Sequence, residues 1–177
     1  MKTFVNKMKI LKTLIICLIL IGFFGCEDDS EPSTISVDRY VELLKQGDYD
    51  ASELPNFTSK DIPALLAYRN ESQLIKDFPV NMISSHWLSE CSLGMYVLWT
   101  IESIRARAVE SDYLIGTFPS QNPIVENKDA FEWIEQSEEV RATVAESYFS
   151  WWDINKNKNF DEFKNTDPLK DTELRWH

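Results

Sequence analysis

One run, CSLGMYVLWTIESIRARAVE at residues 91–110, decides what this chain can fold into. Leu93, Val97, Ile101, Ile104 and Ala108 recur at helical spacing. Met95, Tyr96, Leu98 and Trp99 add apolar bulk on the remaining sides. A helix apolar around most of its circumference has to be enclosed by neighbours, so the rest of the chain must supply the cover. Four further stretches carry helical patterns. In SVDRYVELLKQGDY, Val37, Tyr40, Val41 and Leu44 share one stripe, with Ser36 as a start signal and Gly47 as a stop. TSKDIPALLAYRNE offers Ser59 or Asp61 as a cap, Pro63 in the first turn, and Ile62, Leu65 and Leu66 as the apolar face. Asn127 is read as the cap of NKDAFEWIEQ, and Ser137 as a restart into SEEVRATVAESYFSWW. DASELPNF reads as a loop, LIKDFPVNMI as an extended connector or short strand broken by Pro79, and SDYLIGTFPSQNPI as a long loop. With 44% hydrophobic residues one sizeable core can be built, and 5 glycines and 7 prolines are too few for a turn-rich sandwich. The expectation is an all-α domain of about five helices, either a compact bundle or a short stack of helix pairs.

Neighbouring helical residues point ~100° apart. Val140, Val144, Tyr148 and Trp151 therefore share one stripe, and Ala145, Phe149 and Trp152 share another beside it. Trp151 is expected in the core. The polar tail carries Phe160, Phe163, Leu169 and Trp176, which a tail meant only for solvent would not need. An extended tail over 160–176, packed across the second stripe and burying Trp152, is predicted. The other reading is an aromatic platform for a sugar face at Trp151 and Trp152.

The first 25 residues contain four lysines (Lys2, Lys7, Lys9, Lys12) and no acid, so the remainder carries −15 where the whole carries −11. A chain this acidic is not expected to bind nucleic acid. Leu14 to Gly25 is apolar but shorter than the ~20 residues a bilayer needs, which reads as a secretory signal. Phe23-Phe24-Gly25-Cys26 resembles a bacterial lipobox, in which the cysteine is lipidated; Phe23 stands where Leu is preferred. Glu27, Asp28 and Asp29, followed by Glu31, resemble the acidic export tag of surface-exposed lipoproteins of Bacteroidetes-type bacteria. The expected plan is a signal at 1–25, an acidic tether at 26–35 and one helical domain at 36–177. Its first partner is the membrane, through a lipid anchor on Cys26. The place is the outer membrane, surface-exposed or facing the periplasm.

The stretches SVDRYVELLKQGDYD, FTSKDIPALLAYRN and LGMYVLWTIESIRA, with the RWH that closes the sequence, resemble an uncharacterised family of Bacteroidetes lipoproteins, a domain of unknown function. The resemblance implies a cell-envelope location and brings no catalytic residues. LGMYVLWTIESIRAR also resembles the inner helix of a HEAT-type repeat, without a repeat at the expected period.

Candidate chemistry is sparse. Asp153, Asn155, Asn157 and Asp161 stand at positions 1, 3, 5 and 9 of an EF-hand-like loop. Lys158 occupies the glycine position and Lys164 the bidentate glutamate position, so no tight metal site is expected. Cys91 lacks a base on its own helical face, with His86 and His177 the only histidines. Glu102 lies among apolar residues with Arg105 one turn on, as either a structural ion pair or a catalytic acid. No nucleotide loop or nucleophile elbow is present. The reading is a lipid-anchored binding or interaction module with an unknown protein or glycan partner and no cofactor. The alternative is a hydrolase using Glu102 or the acids around Asp153.

Overall fold

The computed structural model describes residues 35–177, Trp87 excepted. The expected signal, Cys26, the acids Glu27, Asp28 and Asp29, and most of the expected tether lie outside the described residues.

Helix α1 (Val37–Gln46) begins where the Ser36 hydroxyl accepts the Arg39 N–H at 3.2 Å, and it ends at Gly47 with φ +73°. Val37, Tyr40, Val41 and Leu44 are its buried stripe. Thr58, not Ser59, starts the next segment. It forms a capping box with Asp61 around a 3-10 turn (Ser59–Asp61), which runs into α2 (Ile62–Leu66). Strands β1 (Leu74–Ile75) and β2 (Cys91–Ser92) pair antiparallel and lead straight into α3 (Leu93–Ala108). Helix α4 (Glu138–Asn155) is capped by Ser137, whose side chain accepts the Val140 N–H. A second antiparallel ribbon joins β3 (Val125–Asn127) to β4 (Leu174–Trp176).

Helix α3 is the centre, and α1, α2 and α4 pack around it. Every residue from Leu93 to Ile104 is buried, Trp99 completely. Three of them are Thr100, Glu102 and Ser103, and each is hydrogen-bonded, as burial demands. Thr100 Oγ1 meets the Tyr40 hydroxyl at 3.0 Å. Ser103 Oγ donates to the Thr117 carbonyl at 2.5 Å, while Thr117 Oγ1 accepts the Leu54 N–H at 2.8 Å. Trp99 Nε1 donates to Ser120 Oγ at 2.8 Å, and Tyr96 to the Pro79 carbonyl at 2.9 Å. These polar atoms pin the loops at 54, 79 and 117–120 to the helix.

The fold is therefore not all-α, and it is neither a five-helix bundle nor a HEAT-like stack. Among the described residues there are four α-helices and four short strands. The missing helix is the one expected at NKDAFEWIEQ. Asn127 does cap: its Oδ1 accepts the N–H groups of Asp129 at 3.1 Å and Ala130 at 2.9 Å. One turn later the chain reverses. Phe131 takes φ +53°, the Asn127 N–H goes to the Glu132 carbonyl at 3.0 Å, and Glu126 bridges to Trp133. The competing partner is β4, which pairs Val125 with Trp176 and Asn127 with Leu174. On the side of β3 away from that ladder, the Gln136 amide does a strand's work. It accepts the Val125 N–H at 3.1 Å and donates to the Val125 carbonyl at 2.8 Å.

The tail does fold back, but not as an extended cover. A 3-10 turn at Phe160–Glu162 sets Phe163 edge-on to Trp151 and Trp152, with centroids 5.2 and 6.0 Å away. Phe163 and Leu169 are buried, Trp151 is 6% exposed, and Trp152 is only half-buried. Phe149 stays 37% exposed, with the Arg69 guanidinium 4.3 Å over its ring.

Candidate functional site

The site is built on a buried polar knot. Glu102 projects from α3 and takes Arg105 on both oxygens, from Nε at 3.1 and 3.0 Å and from Nη2 at 2.5 Å. The Tyr148 hydroxyl from α4 donates to Glu102 Oε2 at 2.7 Å, and Trp176 Nε1 from β4 donates to that hydroxyl at 2.8 Å. Arg105 Nη1 reaches the Lys164 carbonyl at 3.2 Å. Burial alone would lower the Arg105 pKa; the adjacent Glu102 carboxylate more than offsets it, and the guanidinium is held charged. Burial and the same carboxylate push Tyr148 well up, so it remains a donating phenol. One carboxylate thus ties together α3, α4, the tail turn and β4.

Above the knot lies a cleft of 530 Å³ between Arg105, the 111–121 loop and β4, a volume ordinary for a ligand site. Its rim is apolar and open: Ile83, Tyr113 and Ile115 line it and are exposed, Tyr113 by 78%. Its polar wall holds Asn81, Gln121, Lys128 and Arg175. Each wall is fixed from behind. Asn81 Nδ2 donates to the Ser120 carbonyl at 3.0 Å. Arg175 is held by Glu126 at 3.0 Å and lies 4.7 Å over the Phe131 ring. The His177 carbonyl accepts the N–H groups of Gln121 and Asn122 at 2.8 and 3.2 Å. The His177 ring packs at a tilt of 51° against Trp133, which packs at 52° against His86, with centroids 4.5 and 4.0 Å apart.

His177 Nδ1 lies 3.1 Å from Asn122 Nδ2, an amide that also donates to Ser84 Oγ at 2.7 Å. Burial lowers the His177 pKa; His86 and Arg175 add to this and Glu126 opposes it. A base with a depressed folded-state pKa binds fewer protons folded than unfolded. Its contribution is present above the unfolded value of about 6.5 and is lost as pH falls through the lower folded value. Urea midpoints are expected to drop as the pH is lowered from 7 to 5. His177→Asn should flatten that drop, and an unchanged slope in the variant would exclude His177 as its source.

The other sequence candidates fare differently. Glu102 and Arg105 do meet, as an ion pair at the base of the cleft. Trp151 and Trp152 present no open pair, since Trp151 is in the core. Asp153 and Asn155 belong to the last turn of α4 and not to a loop. Lysines occupy the oxygens of the calcium-like run: Lys156 on Asp153 at 2.7 Å, Lys158 on Asn155 at 2.8 Å, and Lys164 on Asp161 at 2.8 Å. Among the described residues no three His, Cys, Asp or Glu side chains group as a metal site. Cys91 is buried and its thiol pKa is pushed up by that burial. Sequence reasoning missed the rim and wall: Ile83, Tyr113, Ile115, Lys128, Arg175 and His177. The signal was present as apolar residues in loops, NMI and DYLIG, with no helical face to bury them.

These elements define a small α+β domain whose open cleft is carried by loops on a helical centre. Residues 31–177 match the model of a family described as a domain of unknown function (DUF4943), and the chain belongs to that family. No curated protein matches the chain. No solved structure matches it either.

Proposed function

We propose that the chain is a lipid-anchored binding module of the bacterial cell envelope, and that a glycan occupies the cleft. One observation carries the binding reading: Ile83, Tyr113 and Ile115 stand exposed together on the rim of a cleft with a polar wall. Exposed apolar residues that converge on one hollow mark a ligand site. Tyr113 offers a face for a sugar ring, and Gln121, Lys128 and Arg175 offer donors for its hydroxyls. Hydrolysis is the weaker reading. Glu102 lines the cleft but is engaged on both oxygens by Arg105 and Tyr148, leaving it no proton task. Intrinsic tryptophan fluorescence, titrated with oligosaccharides released from envelope glycans, is the test. Saturable binding is expected, weakened about tenfold or more by Tyr113→Ala, as for an aromatic contact at a binding centre. Equal affinity in the variant would remove the cleft from the argument, and saturation by envelope peptides alone would make the ligand a protein.

The anchor rests on the apolar Leu14–Gly25 run ending at Cys26, and the outward orientation on Glu27, Asp28 and Asp29. Cys26→Ser is expected to abolish labelling by a fatty-acid probe and to release the protein from membranes. Equal labelling of variant and wild type would contradict the anchor.

A further inference from the structure

Away from the cleft, the turn at residues 67–70, the start of α3 and the first turns of α4 enclose a separate hollow of 340 Å³. Arg69, Asn70, Ser92, Gly94, Glu138 and Arg141 face it. Ser92 is the N-cap residue of the 16-residue helix α3, yet its side chain caps nothing. It is only 6% exposed, and its Oγ has no hydrogen-bond partner. A buried hydroxyl left unsatisfied is costly, and native structures rarely tolerate one without a ligand, water or functional reason.

The donors of the helix start are already distributed. The Leu93 N–H goes to the Gln73 carbonyl and the Gly94 N–H to the Glu71 carbonyl, both at 2.9 Å. Gly94 permits this approach, because a Cβ there would sit 2.5 Å from the Arg69 carbonyl oxygen. What the hollow still offers is the Ser92 hydroxyl and two guanidiniums. Arg69 Nη1 donates to the Leu66 carbonyl at 2.9 Å, and Arg141 Nη1 to the Gln136 carbonyl. Each guanidinium carries five N–H donors, so most remain. Among the described residues neither arginine forms a salt bridge, although Glu71 and Glu138 border the same hollow. Glu71 is taken by Lys45 at 3.4 Å, and Glu138 is exposed at the start of α4. Two arginines without carboxylates are conspicuous in a chain with 29 acidic and 18 basic residues. The positive end of the α3 dipole points the same way.

We propose that this hollow seats one oxyanion, a carboxylate or phosphate-type group, between Arg69, Arg141 and the Ser92 hydroxyl. The guanidiniums supply paired N–H donors, the arrangement that suits planar and tetrahedral oxyanions. Ser92 donates the bond its oxygen lacks. The oxyanion is either the carboxylate of a peptide or organic acid, or a phosphate group.

Thermal unfolding of the full chain in detergent tests this, with sodium acetate, succinate, phosphate or sulfate set against sodium chloride at equal ionic strength. A saturable rise of the midpoint with an oxyanion, absent with chloride, is expected. Saturation separates binding from the unsaturable effect of excluded salts. Ser92→Ala should fold with an unchanged or higher midpoint in chloride, since it deletes an unsatisfied hydroxyl, while its oxyanion affinity falls about tenfold or more. Arg69→Gln, which leaves the Arg141 contact to Gln136 intact, should show the same loss. A response to carboxylates alone assigns a peptide or organic-acid ligand, and a response to phosphate and sulfate alone assigns a phosphate ligand. A rise of equal size and half-saturation in wild type, Ser92→Ala and Arg69→Gln would overturn the site, and so would no saturable rise with any of the salts.

Discussion

Replacing Arg105 by methionine is expected to cost about 3–5 kcal/mol, the usual penalty for stranding one charge of a buried pair. Glu102 is 7% exposed and receives three of its four short contacts from Arg105. Without the guanidinium, only the Tyr148 hydroxyl remains beside the carboxylate. Methionine keeps the aliphatic bulk, so the loss reads charge and hydrogen bonding and not packing. Arg105 also holds the Lys164 carbonyl, and its removal loosens the turn that leads to Leu169. The decisive measurement is a double-mutant cycle by urea unfolding. Glu102→Leu with Arg105→Met should be clearly less destabilised than the sum of the two single variants, because no charge is then left alone. Additive losses would mean that the two side chains do not act as a pair.

Truncation after Asn159 is expected to prevent folding altogether. It removes Phe163 and Leu169, both buried, each worth ~1.5–3 kcal/mol of burial. It also removes β4, and with it the ladder to β3, the Trp176 donor of Tyr148 and the Arg175 partner of Glu126. Glu126 would then be a buried carboxylate without its cation. Domain stabilities of about 5–15 kcal/mol leave little after such losses. Circular dichroism with a urea titration is the check, and a cooperative transition near the wild-type midpoint would show that the tail is an ornament. The point variant Leu169→Ala gives a graded reading, with an expected cost of about 2–5 kcal/mol.

The cleft was less legible than the core for a physical reason. A core residue announces itself by period, because burial on a helix repeats every 3.6 residues. Glu102 and Arg105 were legible in this way, three apart on a helix that had to be central. Tyr113, Ile83 and Arg175 come from two loops and a strand, and no local period relates them. Only the pinning of those loops by Trp99, Ser103 and Tyr96 brings the rim together.

By itself the sequence determined the helical centre at 93–108, the stripe of α1, the Val144, Tyr148 and Trp151 stripe of α4, and the caps at Ser36, Gly47 and Ser137. These depend on contacts within a few residues, where propensity, capping and amphipathic period agree. It also determined that the tail must fold back, since Phe160, Phe163, Leu169 and Trp176 are apolar in a polar stretch; that Phe163 and Leu169 are buried while Phe160 and Trp176 stay half-buried was decided by the tertiary structure. Tertiary structure decided the rest. Asn127 carries a helix-cap signal, and a local reading starts a helix there. The segment became β3 because Leu174–Trp176, brought alongside from the tail, satisfies its backbone in a ladder that a helix would forgo. That choice, together with the β1–β2 pair, converts an expected all-α domain into an α+β one. It sets Arg175, Trp176 and His177 along one wall of the cleft, where no pattern within the tail could have placed them.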